Sequence, residues 1–286
     1  MKFLHYFTIL LLFSGCGGSG QSSNSSSQTI IFDPNVQAAT TNTLYKPTTN
    51  TSWQIQLQGD LNLSYDADLY DVDLFDTSVD TINSLKNSGK KVICYFSAGT
   101  YENWRSDAGL FPAEVLGNDL EDWAGEKWLD ISNEKLAPII ESRLDLAVQK
   151  GCNAVDPDNL DGYTNNTGFN LTEQHQLGYN KFVANEARKR GLSVGLKNDL
   201  NQIEELEPFF DFSINEQCSI YNECNLLTPF IEKNKPVFNI EYDDKYVNNT
   251  NNERDSMCAN SISLGFKTLI MPHSLDGSFR ISCDEI

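Results

Sequence analysis

The residues able to do chemistry sit in two short acidic segments, Asp156-Pro157-Asp158-Asn159-Leu160-Asp161-Gly162-Tyr163 and Asn215-Glu216-Gln217-Cys218. Each follows an apolar, β-prone stretch, so each sets carboxylates where a parallel strand opens into a loop, the rim at which α/β barrels carry out catalysis. Two carboxylates facing each other at such a rim suit the hydrolysis of a glycosidic bond. Asp156 and Asp158 share strand parity and can point to one side, while Pro157 offers no ladder hydrogen bond. Acids gathered at a strand end repel one another, and hydrogen bonds, a cation or raised pKa values must offset that. Lys197-Asn198 ends another apolar stretch and brings a cation and an amide to the same rim; Tyr95, Asp130 and the pair Glu241-Tyr242 end three more.

The elements that must position these groups read as an α/β fold. Apolar segments at 53–57, 91–96, 128–131, 153–155, 192–196, 212–214, 236–240 and 267–271 predict eight strands. Most are continuous apolar runs, as expected of parallel strands covered on both faces. Helical patterns fill gaps between them: 80–88 stops at Gly89, 137–150 at Gly151 and 176–190 at Gly191, glycine being the usual residue past a helix end. A (β/α)8 TIM-like barrel in a single domain accounts for this alternation and for the length from residue 51 to 286. An open doubly wound sheet would need a glycine-rich phosphate turn after its first strand, which is missing.

Ahead of the barrel, Lys2, an apolar run over 3–13 and the small residues Ser14-Gly15 before Cys16 have the layout of a secretory signal, residues 1–15, whose core is too short to span a bilayer. Cysteine at that point resembles a bacterial lipobox and makes Cys16 the expected lipidation site, although Phe13 departs from the usual leucine and keeps plain secretion open. Residues 16–50 are rich in Ser, Thr, Asn and Gly and read as a flexible tether. Six cysteines remain for disulfides in an exported chain. Cys218 and Cys224 flank one short loop and pair first, bracing the segment after Glu216; Cys94 with Cys152 and Cys258 with Cys283 follow by elimination. The expected address is exported, either secreted or anchored to a bacterial outer membrane by the lipid alone.

Composition excludes some partners. With 40 acidic against 21 basic residues the net charge is −19, which repels nucleic acid and anionic headgroups and suits a cationic or neutral substrate. Acidic surfaces also keep exported proteins soluble. Three histidines and no Cys-x-x-Cys pair leave no metal site, and no cofactor is expected. Gly191-Leu192-Ser193-Val194-Gly195 matches a nucleophile elbow in letters but begins a strand where the elbow must end one. The Asp156 segment fails as a calcium loop, because Asp161 stands where glycine is needed and Thr167 where the bidentate glutamate should be.

The ordered set Cys94-Tyr95-Phe96-Ser97-Ala98-Gly99-Thr100, 123–130, 156–163, Gly195-Leu196-Lys197-Asn198, Asn215-Glu216-Gln217-Cys218 and Glu241-Tyr242 resembles glycoside hydrolase family 114, the endo-α-1,4-polygalactosaminidases, from about residue 53 to the C-terminus. The resemblance implies a (β/α)8 enzyme with a nucleophilic carboxylate on the fourth strand and an acid/base on the sixth, the places of Asp158 and Glu216; Asp158 is favoured over Asp156 because it lies nearer the rim and precedes an amide. It implies an endo-acting, retaining hydrolase of galactosamine-rich exopolysaccharide, with Glu216 raised in pKa by burial and neighbouring acids. Tyr95, Asp130, Asp156, Asn159, Asp161, Lys197, Asn198, Glu241 and Tyr242 become the expected substrate-binding set, with Asp156, Asp161 and Glu241 attracting free amines. Competing readings are a non-catalytic glycan-binding matrix lipoprotein and a hydrolase of another α-galactoside. A monomer is expected, acting on its own cell's polysaccharide or on a biofilm.

Overall fold

The computed structural model describes residues 31–41 and 45–286. The signal and Cys16 lie outside the described residues. Twelve strands are present among the described residues: β1 (Trp53–Gln56), β2 (Leu69–Asp73), β3 (Lys91–Ser97), β4 (Thr100–Glu102), β5 (Leu116–Asp119), β6 (Glu126–Leu129), β7 (Ala154–Asp158), β8 (Ser193–Lys197), β9 (Phe212–Glu216), β10 (Val237–Glu241), β11 (Lys267–Ile270) and β12 (Ile281–Ser282). β1, β2, β3, β7, β8, β9, β10 and β11 pair in that order, all parallel, with β12 antiparallel on β11. The sheet curls until its two ends meet. Trp53 of β1 packs on Phe238 of β10 with ring centroids 4.9 Å apart, and its indole N–H donates to the Lys267 carbonyl of β11 at 2.9 Å. The fold is the (β/α)8 barrel expected.

One strand of that barrel differs from the sequence reading. The segment 128–131 is not the third barrel strand; β6 joins a separate antiparallel sheet, ordered β4-β6-β5, inserted between β3 and β7. The missing barrel strand is β2, whose sequence Leu-Tyr-Asp-Val-Asp hides from a search for apolar runs. Tyr70 and Val72 face the helical layer, while Asp71 and Asp73 are buried at 0% and 3% exposure on the opposite face. The two errors cancel in the count. Asp158 still ends the fourth parallel strand and Glu216 the sixth.

The barrel's own core is apolar at one end, with Ile55, Leu69, Ile93, Phe212, Ile214, Phe238, Ile240, Leu269 and Met271 in one cluster. Gly195 is needed there, because a Cβ would stand 2.5 Å from the Phe212 ring. Three of the described helices form where the glycine stops predict them. Val79–Asn87 starts on Ser78, Ala137–Lys150 ends on Gly151 at φ 87°, and Glu173–Lys189 starts in a capping box in which His175 accepts from the Thr172 N–H. None of the described helices is long and apolar enough to cross a membrane.

The tether reading fails for the described part of 31–50. Phe32, only 8% exposed, packs on Tyr179 and Phe182, Lys181 Nζ donates to the Pro34 carbonyl at 2.7 Å, and the Ala39 N–H donates to Asn185 at 2.7 Å. Gly178 makes the close approach possible: a Cβ there would meet the Phe32 carbonyl at 2.0 Å. Phe32, Val36 and Ala38 supply enough apolar surface to hold the segment against the barrel in spite of its polar neighbours.

Three disulfides are present, Cys94–Cys152, Cys218–Cys224 and Cys258–Cys283, with Cα atoms 6.0, 4.7 and 5.0 Å apart. They fit folding in an oxidising compartment. The first links β3 to the segment leading into β7. The second closes the turn that follows Glu216.

Candidate active site

The inward faces of β2, β3, β7, β8 and β9 carry Asp71, Tyr95, Asp156, Asp158, Lys197 and Glu216 toward the C-terminal mouth of the barrel, because residues two apart on a strand share a side. Lys197 is the hub. Its ammonium, on a residue only 2% exposed, stands 3.4 Å from Asp156 Oδ2, 3.5 Å from Asp158 Oδ1 and 4.0 Å from Glu216 Oε2. Burial alone would lower its pKa, but the three surrounding carboxylates prevail and hold it well above the usual value.

The two candidate catalytic carboxylates are each held by a tyrosine. Tyr95 Oη donates to Asp158 Oδ2 at 2.8 Å, and the Asn159 N–H donates to Oδ1 at 2.7 Å. Tyr242 Oη donates to Glu216 Oε1 at 2.5 Å, and Asn198 Nδ2 donates to Oε2 at 3.1 Å while its Oδ1 accepts from the Glu216 N–H at 2.9 Å. Burial and the adjacent carboxylates push both phenols well above their ordinary pKa, so they remain protonated donors. The chain turns sharply after each of β7, β8 and β9 through left-handed residues: Asn159 at φ 60°, Asn198 and Asp199 at 50° and 47°, and Gln217 at 63°. Each turn costs strain, which clusters at functional sites. Asn159 is locked by donation to Ser97 Oγ and Thr100 Oγ1 at 3.0 and 3.2 Å, and Gly99 admits the Asn159 carbonyl into space a Cβ would occupy.

Electrostatics differ from the sequence expectation at Glu216. Burial pushes this carboxyl up, but Lys197, Tyr242 and Asn198 together outweigh burial and bring its pKa below the ordinary value. The raised acids lie elsewhere. Asp156, fully buried with Oδ1 lacking a partner among the described residues, is pushed by burial to about 7. Asp161 is raised to about 6 by burial and by Asp158, and Glu126 to about 7 by burial against a 2.9 Å hydrogen bond from Thr100. Asp71, below Asp156, is fully buried with both oxygens unpartnered among the described residues and raised well above the carboxylate range by burial and by Asp156.

Around these groups runs a cleft of about 290 Å³ lined by Tyr95, Asp158, Asn159, Asp161, Asn198, Glu216 and Tyr242 from the expected set. Asp156 and Lys197 form its floor. Two expected residues stay out. Glu241 points away from the barrel axis, since Ile240 faces inward, and its Oε1 accepts from the Ser219 N–H at 2.9 Å and from Asn239 at 3.1 Å. Asp130 follows β6 of the inserted sheet, not a barrel strand, and its carboxylate accepts from Ser132 Oγ at 2.5 Å within a turn.

Sequence reading missed His273, Trp123 and Glu126, which complete the cleft wall. His273 packs edge-to-face against Tyr242 and tilted against Trp123, with centroids 5.1 and 5.6 Å away. It also missed the ionic knot of Arg105 with Asp73 at 2.6 Å and Glu102 at 2.7 Å, which borders a larger cavity of about 600 Å³ on the Tyr95 side. Trp123 and Glu126 lie within the 123–130 segment, whose spacing gives no sign of the cleft, and no local motif marks Asp73, Arg105 or His273, which contacts between distant parts of the chain bring into place. Among the described residues, no cluster of three or more His, Cys, Asp or Glu could hold a metal ion.

A model of glycoside hydrolase family GH114 matches residues 34–286. The crystal structure of Aspergillus fumigatus Ega3 in complex with galactosamine is similar at 42% identity over 87% of this chain and 100% of that one, with a TM-score of 0.81. The glycoside hydrolase domain of PelA from Pseudomonas aeruginosa, at 14% identity over 81% and 98% of the two chains and a TM-score of 0.63, shares the fold. No curated protein sequence matches the chain. With the family model spanning the barrel from end to end, the chain belongs to glycoside hydrolase family GH114 and is a glycoside hydrolase.

Proposed function

We propose that the protein is a retaining endo-hydrolase of α-1,4-linked, galactosamine-rich polysaccharide, with Asp158 as nucleophile and Glu216 as acid/base. The observation that carries this reading is the single ammonium of Lys197 reaching both carboxylates, at 3.5 and 4.0 Å, in a cleft open across the barrel mouth. Asp158 attacks the anomeric carbon, the glycosidic C–O bond breaks, and Glu216 delivers its proton to the departing oxygen. Glu216 then takes a proton from water, whose oxygen forms the new bond to carbon and releases Asp158. Tyr95, donating to Oδ2 at 2.8 Å, and Lys197, 3.5 Å from Oδ1, hold Asp158 oriented for attack.

The lowered pKa of Glu216 adds a condition. The free protein carries its proton only at acid pH, so kcat/KM rises as pH falls. Similarity to a relative solved with galactosamine and the acid-rich cleft both support a cationic glycan as substrate. Cavities of about 600 and 320 Å³ adjoin the central cleft, which supports endo action on a chain that passes through.

Mass analysis of products from a purified galactosamine polymer tests the reading: a ladder of short oligosaccharides is expected, and an untouched polymer would refute it. Asp158→Asn and Glu216→Gln should fold and lose hydrolysis, and NMR of the first-formed anomer decides retention. We further propose export, which the three disulfides support, with lipidation at Cys16; labelling by a fatty-acid analogue that Cys16→Ser abolishes is the expected result.

A further inference from the structure

On the far side of Glu216 from Asp158 the cleft continues into a cavity of about 320 Å³, walled by Asp161, Asn198, Asp199, Asn201, Gln217 and Tyr221. Asp199 is 3% exposed. Its Oδ2 accepts from Asn180 Nδ2 at 2.9 Å, and Asn180 is itself fixed by a second donation to the Leu160 carbonyl at 2.9 Å and by Gln176 Nε2 at 2.8 Å. Oδ1 has no hydrogen-bond partner among the described residues. The side chain is therefore fixed at the cavity wall, with one of its two oxygens buried and unpartnered. Asp161 lines both this cavity and the catalytic cleft. No salt bridge engages either carboxylate among the described residues, in contrast to Asp156, Asp158 and Glu216, which share Lys197.

Buried acids without a cation hold protons instead. Burial and the charge of Asp161 push Asp199 to about 8, and burial with the charge of Asp158 pushes Asp161 to about 6. A site of this kind is incomplete, because a positive group placed against it would replace the proton and satisfy the free oxygen at once.

We propose that Asp161 and Asp199 form an ammonium-binding subsite on the leaving-group side of Glu216, taking the protonated 2-amine of a hexosamine residue beyond the bond that is cut. The assignment rests on the proposed role of Glu216: an acid that protonates the leaving oxygen stands beside the leaving-group sugar, and this cavity holds Glu216 without Asp158. Asn198, Asn201 and Gln217 offer amides for sugar hydroxyls, and the ring of Tyr221, 63% exposed, offers a face for the sugar's apolar side. An N-acetylated residue brings a neutral amide and a methyl group and leaves both carboxylates unpaired, which is how a polar site rejects the wrong ligand.

Calorimetric titration of the full chain with a short α-1,4-galactosamine oligosaccharide and with its fully N-acetylated form tests this at low salt, for the wild type, Asp199→Asn and Asp161→Asn. Asparagine keeps the shape of the side chain and tolerates the left-handed backbone at 199, and Asp161 lies on a separate loop, so the two variants do not share one folding risk. The wild type should prefer the amine form. Each variant should bind that form about tenfold more weakly, equivalent to about 1.4 kcal/mol, with the preference over the acetylated form reduced in proportion. A preference within about twofold of the wild type, or an equal loss for both ligands, overturns the proposal. A wild type that binds with this preference but releases no reducing ends from polymer refutes the hydrolase reading and leaves the subsite standing.

Discussion

Replacing Lys197 with methionine should shift the pH range in which the protein works toward higher pH. The ammonium lies 4.0 Å from Glu216 Oε2, where two unit charges interact by about 4 kcal/mol at an effective dielectric of about 20. Glu216 keeps its bonds to Tyr242 and Asn198, and its side chain is 27% exposed, so only part of that energy is realised. A third of it already corresponds to about one pH unit in the proton affinity of the carboxyl. Without Lys197, burial dominates and Glu216 holds its proton to higher pH. The assay is kcat/KM on a galactosamine oligosaccharide from about pH 3 to 9. Its fall on the alkaline side reports loss of the Glu216 proton and should move up by about one unit or more, while the plateau drops because Asp158 has lost a cation at 3.5 Å. Carboxyl 13C titration of Glu216 reads the same quantity if turnover is too slow. An alkaline limb that stays in place, or moves down, refutes the electrostatic account. Thermal melting must accompany the assay, because Asp156 loses its partner too and breaking a buried ion pair costs about 3–5 kcal/mol.

Tyr242→Phe removes the 2.5 Å donor to Glu216, a hydrogen bond to a charged group worth about 1.5–3 kcal/mol; kcat/KM at acid pH should fall by one to two orders of magnitude with the melting temperature little changed. Asp156 titrates at about 7 in the fold and near 3.9 when unfolded, so its stabilising contribution is complete below about pH 4 and is lost as pH rises to about 7, by at most roughly 4 kcal/mol. Asp156→Asn should flatten that part of the stability curve, and urea midpoints at pH 5 and pH 8 that differ as much as in the wild type would count against it. Opening Cys94–Cys152 by paired alanine substitution should cost about 4 kcal/mol in the chain-entropy account for a sequence separation of 58, measured as a lowered denaturation midpoint at unchanged slope.

The amino-acid sequence by itself determined the inventory of the site and its order along the chain. Asp156 and Asp158 on one side of a strand, the Lys197-Asn198 pair and Glu216 at another strand end are all local facts, because strand period and strand ends are written in neighbouring residues. The amides after Asp158, Lys197 and Glu216 were legible in the same way, and they are the residues that take the left-handed turns. Period two says which residues share a face, but not which face meets the barrel axis. Glu241 therefore ended on the helical side, and β2, with acids turned inward, went unseen. Helices and loops are also poor guides to what they touch: the polar stretch holding Phe32 docks because Gly178 lets it approach. Charge state was decided by tertiary structure alone. Whether Glu216 gains or loses a proton depends on Lys197 and Tyr242, 19 and 26 residues away in the chain but 4.0 and 2.5 Å away in space. Coulomb energy and desolvation follow those distances through space, which the order of residues does not contain.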